Sequence, residues 1–123
     1  MAAAGLVLRP VRSVAVLDGS DVFHAAQALG FAIDYRKLLR LLESQCDLVR
    51  AYYLATRPVN VYWPAVRLGR WLSFNGYASS VRAAPEWVDP DTGRERYSDA
   101  RVDVAVAMLE AACPAGARAE QVV

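Results

Sequence analysis

The sequence predicts an α/β domain, a three-layer sandwich built on a mainly parallel sheet. Short apolar and β-branched runs of strand length recur near residues 13–18, 47–54 and 77–83. Segments with helical period, each with its own start and stop signals, separate them. Right-handed crossovers between parallel strands place such helices on the faces of the sheet. The chain has 123 residues, 55% of them hydrophobic and 22% charged. That length suits one domain, and the composition excludes a disordered chain, because enough apolar surface exists to offset the ordering entropy. The expected organisation is an N-terminal extension over 1–12 and one domain over 13–123.

The elements follow in order. Ser13 to Asp18 reads as a strand buried on both faces, closed by Gly19, with Asp18 at its carboxyl end. Ser20 or Asp21 is the expected cap of a first helix running to about Leu29, and Gly30 supplies the left-handed residue that stops it. Asp34 caps a second helix, in which Tyr35, Leu38, Leu39 and Leu42 form the stripe of a helix lying on a sheet. Asp47 to Leu54 is the second strand. A loop from Ala55 to Trp63 follows, then a helix with Pro64 in its first turn that runs to about Asn75 and stops at Gly76. Tyr77 to Ala83 is the third strand. Ala84 to Ser98 reads as a long loop around the turn Asp89-Pro-Asp-Thr-Gly93. The last helix, about Ala100 to Cys113, gathers Val102, Ala105, Val106 and Leu109 on one apolar face, and Pro114 with Gly116 ends it. Gln121 to Val123 is strand-like.

Several classes of function are excluded or disfavoured. The longest apolar run, Met1 to Leu8, is far short of the roughly 18 residues of a membrane span. No basic segment precedes it, so no secretory signal is expected and the expected compartment is cytoplasmic. Cys46 and Cys113 are read as reduced thiols, since they form neither a disulfide framework nor a C-x-x-C pair. The net charge of +1 creates no field that would steer a polyanion, so a nucleic-acid surface has to be a local arginine patch.

The candidate chemistry sits at the strand ends. Asp18 and Asp21 put two carboxylates at the mouth of a helix, a pair able to hold Mg²⁺ or Mn²⁺ against a phosphoryl group. The alternative is that Asp21 caps the helix and Asp18 closes the strand as a turn residue. His24, the single histidine, has the chemistry of an acid or base near a phosphate, or it packs. Trp63, Trp71, Trp87, Tyr52, Tyr53 and Tyr97 offer rings for base stacking. Arg82, Arg94, Arg96 and Arg101, near Trp87 and Tyr97, form the candidate surface for single-stranded RNA. Glu86, Asp89, Asp91, Glu95 and Asp99 share that stretch and make its field mixed, so a solvated loop is the competing reading.

Taken in order, Val16-Leu-Asp-Gly-Ser-Asp-Val-Phe-His24, Ile33-Asp-Tyr-Arg-Lys-Leu-Leu39, Arg50-Ala-Tyr-Tyr53, Trp71-Leu-Ser-Phe-Asn-Gly-Tyr77 and Val102-Asp-Val-Ala-Val-Ala-Met-Leu109 resemble the NYN domains of the PIN-like nuclease superfamily. The resemblance implies a Rossmann-like topology and ribonuclease chemistry dependent on Mg²⁺ or Mn²⁺. It makes Asp18 and Asp103 the catalytic candidates and Asp18, Asp21 and Asp99 the metal candidates. Asp21 stands where an asparagine is usual, and Tyr97, Arg101 and Ala107 stand in the later motif that normally carries the remaining acids. The family also continues past a strand like Gln121–Val123 into further ligands, so the fold is expected to lack its C-terminal strand or strands. Two expectations follow. One is an open apolar edge on the strand Ser13–Asp18, covered by a second copy or a partner. The other is a catalytically inactive member, with Arg101 paired to Asp18, that binds RNA or protein.

Overall fold

The computed structural model describes residues 8–58, 63–84, 86–93, 95–97, 99–112 and 120–123. The apolar runs β1 (Arg12–Asp18) and β2 (Asp47–Pro58) form the centre of a sheet, paired in parallel from Arg12 opposite Asp47 to Asp18 opposite Leu54. β3 (Ala78–Ala84) lies parallel on the far side of β2. α1 (Gly19–Leu29) and α2 (Tyr35–Gln45) connect β1 to β2, and α3 (Trp63–Ser73) connects β2 to β3. After a hairpin of β4 (Glu86–Val88) and β5 (Glu95–Tyr97), α4 (Arg101–Ala112) returns the chain to β6 (Gln121–Val122) on the other side of β1. In the order β3-β2-β1-β6 the chain therefore steps twice in one direction, β1 to β2 to β3, and then crosses back to the other side of β1. With right-handed crossovers, that reversal puts α1, α2 and α3 on one face and α4 on the other, as a three-layer sandwich requires.

Local rules explain much of this. Asp34 caps α2, its Oδ1 accepting from the backbone N–H groups of Arg36 and Lys37 at 3.1 Å each. Gly30 ends α1 in the left-handed conformation at φ 77°. The α2 stripe packs as the spacing predicts: Leu42 is buried, with Tyr35, Leu38 and Leu39 against the same core. That core sets Leu42 and Leu72 over Ala15, Ala51 and Ala55, small strand residues that let the helices sit low on the sheet. Burying each leucine stabilises the fold by about 1.5–3 kcal/mol.

Tertiary contacts override the sequence in five places. β2 does not stop at Leu54 but continues to Pro58, because β3 pairs with it as far as Pro58 opposite Ala84. α1 begins at Gly19 and is capped by Asp18, not by Ser20 or Asp21. The long loop after β3 holds the antiparallel β4–β5 pair, turned around Gly93 at φ 69°. β1 is not an open edge: β6 pairs with Ser13 and Val14, and Val16 N–H donates to the Val123 carbonyl at 2.8 Å. Docking of a second copy or partner there loses the bare strand it was built on. Finally, the predicted apolar face of α4 points outward, with Val102 71% and Leu109 70% exposed. The inward side is the small-residue row Ala100, Val104, Ala107 and Ala111, which allows close approach to β1 and β6. Cys113, Pro114 and Gly116 lie outside the described residues.

Among the described residues, no helix is long and apolar enough to cross a membrane. The orientation of α4 is testable beside that of α3. Leu72→Ala, which empties a site of 0% exposure, is expected to lower the urea-unfolding free energy by about 2–5 kcal/mol. Leu109→Ala is expected to change it by less than about 0.5 kcal/mol. The opposite ranking would mean that α4 turns its leucine inward.

Candidate functional site

In parallel α/β sheets, ligands bind beyond the carboxyl ends of the strands where strand order reverses, here beside β1. Asp18 is the last residue of β1 and also the cap of α1, with no loop between them. Its Oδ1 accepts from the N–H groups of Ser20 at 3.1 Å and Asp21 at 3.3 Å. The sharp entry requires Gly19, since a Cβ there would lie 2.5 Å from the Tyr53 hydroxyl and 3.0 Å from the Ala55 Cβ. Asp21 is exposed in the first turn of α1.

The other candidate acids hold guanidinium groups. Asp99 accepts from the Arg101 backbone N–H at 3.1 Å and lies 3.2 Å from the Arg101 Nε. Asp103 receives both the Nε and the Nη2 of Arg82, at 3.1 and 3.4 Å. Arg101 therefore neutralises Asp99 and not Asp18. Among the described residues, no three acidic, histidine or cysteine side chains converge. A cation centre of several carboxylates does not fit this arrangement, and a cation held by Asp18 and Asp21 would need phosphate oxygens to complete its shell.

The expected RNA surface is divided in the same way. Arg82 and Arg101 carry compensated charge, while Arg94 and the side chains of Arg96 and Tyr97 lie outside the described residues. Trp87 is exposed on β4. Tyr53 is withdrawn from any base, because it is buried in the core. Its ring meets Tyr35 edge-on at 5.6 Å, Tyr35 meets Tyr77 at 6.1 Å, and the Tyr77 hydroxyl donates to the Tyr35 carbonyl at 2.7 Å. His24 is exposed on α1, edge-on to Phe23 at 5.7 Å.

A different surface comes into view on α3. Leu68 and Leu72 face the core, which turns Arg67, Arg70, Trp71 and, one step past the helix end, Phe74 outward at helical spacing. Trp71 is 40% and Phe74 83% exposed. The guanidinium of Arg36, from α2, lies over the Trp71 ring at 5.4 Å and donates to the Asn75 Oδ1 at 2.9 Å, while the Asn75 amide donates to the Trp71 carbonyl at 2.7 Å. Arg57, at the carboxyl end of β2, borders a cleft that α3 forms with β3. A sequence signal for this surface exists. From Leu48 to Pro85 the chain has five arginines and no acidic residue, leaving 9 basic against 13 acidic residues elsewhere. The total of +1 hides a positive β2–α3–β3 region. Of the patch expected from the sequence, Arg82 belongs to this acid-free stretch, while Arg94, Arg96 and Arg101 lie beyond it, where acids resume at Glu86.

No family model, curated protein or solved structure matches this chain. What the site can do rests on its own geometry.

The tyrosine cluster gives the protein a defined alkaline limit. Burial, reinforced by Tyr35, Asp34 and Glu43, pushes the Tyr77 hydroxyl up to about 12. Burial followed by Tyr35 and Asp18 raises that of Tyr53. A phenol whose folded pKa is raised contributes stability that is complete below its unfolded value of about 10 and lost as pH climbs through the folded value. The midpoint of thermal unfolding, followed by circular dichroism, is expected to show no tyrosine-linked loss up to about pH 10 and to fall between about pH 10 and 12. Tyr77→Phe is expected to make that fall shallower; an unchanged slope would remove Tyr77 from the cause.

Proposed function

We propose that this chain is an RNA-binding domain that engages single-stranded RNA through the outer face of α3. The observation that carries the reading is that strip itself: Arg67, Arg70, Trp71 and Phe74 face solvent together in a stretch of chain without a carboxylate. Exposed aromatic rings beside fixed positive charge are what sequence-tolerant binding to single strands uses, with bases stacking on the rings and phosphates following the guanidinium groups. Arg36 over one face of Trp71 orients that ring and sets a positive charge against it, and in this reading a base stacks on the opposite face. The resemblance to NYN domains, a PIN-like topology, supports RNA as the polymer. In this reading the domain acts in the cytoplasm as a binding member of that group.

Binding of a fluorescent oligouridylate, measured by anisotropy, tests the reading. Each stacked base contributes about 1–3 kcal/mol, so Trp71→Ala and Phe74→Ala should each weaken binding by roughly 5- to 150-fold while leaving the unfolding midpoint nearly unchanged. With three to four arginines engaged, log K should fall with log salt at a slope of about −2 to −3. Affinity indifferent to both ring removals would sink the proposal.

A second reading, divalent-metal-dependent hydrolysis of RNA, is favoured by one observation: Asp18 lies at the carboxyl end of β1 beside the reversal of strand order. Mn²⁺-dependent cleavage of a single-stranded substrate by the protein and by Asp18→Asn decides it, since asparagine preserves the helix cap. Loss of cleavage in the variant supports hydrolysis, and equal background in both removes it.

A further inference from the structure

We infer that Arg36 is a base-reading residue, whose guanidinium recognises the O6 and N7 edge of a guanine in the strand bound by the outer face of α3. The inference rests on the RNA-binding reading and names the base which that reading leaves open. It starts from a close approach of two helices. Gly76 lies just past α3 at φ 94°, and a Cβ there would be 2.5 Å from the Leu39 Cδ2 of α2. Arg36 stands three residues before Leu39, on the same side of α2, so this approach brings its side chain across to the end of α3.

A chain of hydrogen bonds then fixes the guanidinium. The Asn75 amide nitrogen donates to the Trp71 carbonyl at 2.7 Å, an acceptor that the amide oxygen cannot serve. The Asn75 Oδ1 is thereby turned to Arg36 and accepts from its Nη2 at 2.9 Å, while the Arg36 Cζ lies 5.4 Å from the centre of the Trp71 ring. One planar group is held from two directions. A guanidinium carries five N–H donors, and Nη2 shares one parallel pair with Nε and another with Nη1. Asn75 engages Nη2 once, so one complete pair remains free whichever proton is used. Arg36 is exposed, and among the described residues it makes no ion pair; Asp34, the nearest acid in sequence, spends its Oδ1 on the backbone cap of α2.

A free pair of parallel donors suits two phosphate oxygens or the adjacent O6 and N7 acceptors of guanine. Phosphate contacts position a strand and base contacts specify it, and specification needs the fixed donor. Of Arg36, Arg67 and Arg70, only Arg36 is held by both a hydrogen bond and a ring among the described residues. Arg67 and Arg70 suit the phosphates. Adenine offers an acceptor beside a donor on the same edge, and the pyrimidines offer no adjacent pair of acceptors there, so the free donors of Arg36 match guanine alone among the four bases.

Fluorescence anisotropy with the RNA pentamers UUGUU and UUUUU reads the preference. The protein is expected to bind UUGUU roughly 5- to 150-fold tighter, the worth of one bidentate base contact. Arg36→Lys keeps the charge but has no parallel donors, and should bring the ratio of the two affinities to about 1. Replacing the guanine by 7-deazaguanine, which lacks the N7 acceptor, should lower the ratio several-fold. Asn75→Ala should lower it too, because Asn75 acts by positioning Arg36; a role in stability alone would weaken both pentamers alike. A ratio near 1 in the unaltered protein, with both pentamers weakened by Trp71→Ala, overturns the guanine reading and leaves the α3 surface standing. A preference that survives either Arg36→Lys or 7-deazaguanine overturns it as well. If neither pentamer binds, the α3 reading fails, and guanosine 5′-monophosphate decides the guanine site by itself. Amide shifts at Arg36 and Asn75 that uridine 5′-monophosphate does not produce uphold the site, and their absence overturns it.

Discussion

The missing side chain of Gly19 beneath the Tyr53 ring is the constraint on which the rest of the architecture depends. β1 passes into α1 without a connecting residue, which is possible only because the backbone at Gly19 can lie against the Tyr53 hydroxyl and Ala55. Direct entry forces the last strand residue to be the helix cap, so the carboxylate of Asp18 is turned onto the first N–H groups of α1. It also fixes the height of Tyr53, against which Tyr35 packs edge-on, and Tyr35 in turn takes the ring and hydroxyl of Tyr77. One close contact thus links β1, α1, β2, the start of α2 and the entry to β3. A larger residue at position 19 would have to displace an aromatic ring in a close-packed interior.

The order of strands then sorts the chemistry of the surface. α1 packs across β1 and β2, α4 packs on β1, and both expose large apolar side chains, among them Phe23, Leu29, Val102 and Leu109. Apart from Asp47 at the start of β2, the elements β2, α3 and β3 come from the acid-free part of the chain and present arginines on both faces of the sheet, Arg57 on the α3 side and Arg50 and Arg82 on the other. The sequence is therefore not uniformly neutral. A cationic β2–α3–β3 stretch and a remainder with more acidic than basic residues share one chain, and a whole-chain net charge averages them away.

Features governed by near neighbours were legible in the sequence. The Asp34 cap, the Gly30 stop, the Leu38, Leu39 and Leu42 stripe and the alternation of strands with helices all depend on residues a few positions apart. Features governed by distant partners were not. β2 is longer than its apolar run because β3 lines its end, and β6 is a strand because β1 has a free side to receive it. The direction of α4 could not be read from a helix apolar on nearly every side; the small residues, not the large ones, marked its contact face. At the site, Arg67, Arg70 and Trp71 share one helix, but which side of that helix meets water is decided by the packing of Leu68 and Leu72 against distant strands. The pairing of Asp99 with Arg101, two residues apart, was within reach of the sequence; that of Asp103 with Arg82 was not.

The candidate acids differ in what it costs to release them. The Arg82–Asp103 pair is half exposed, and such pairs contribute only about 0–1 kcal/mol, so an arriving phosphate can take Arg82 with little loss of stability. Asp18 is bound instead to backbone groups that have no other partner in the helix, and turning its carboxylate away would leave the first turn of α1 uncapped, at about 0.5–2 kcal/mol. A hydrolytic centre on this fold would have to take its principal ligand from the residue that holds β1 and α1 together. Binding through α3 makes no such demand, because it uses side chains that already meet solvent, Arg67, Trp71 and Phe74, and displaces no helix cap. Ligand engagement is least costly where side chains face water and the backbone beneath them is already rigid, and on this molecule that place is the outer face of α3.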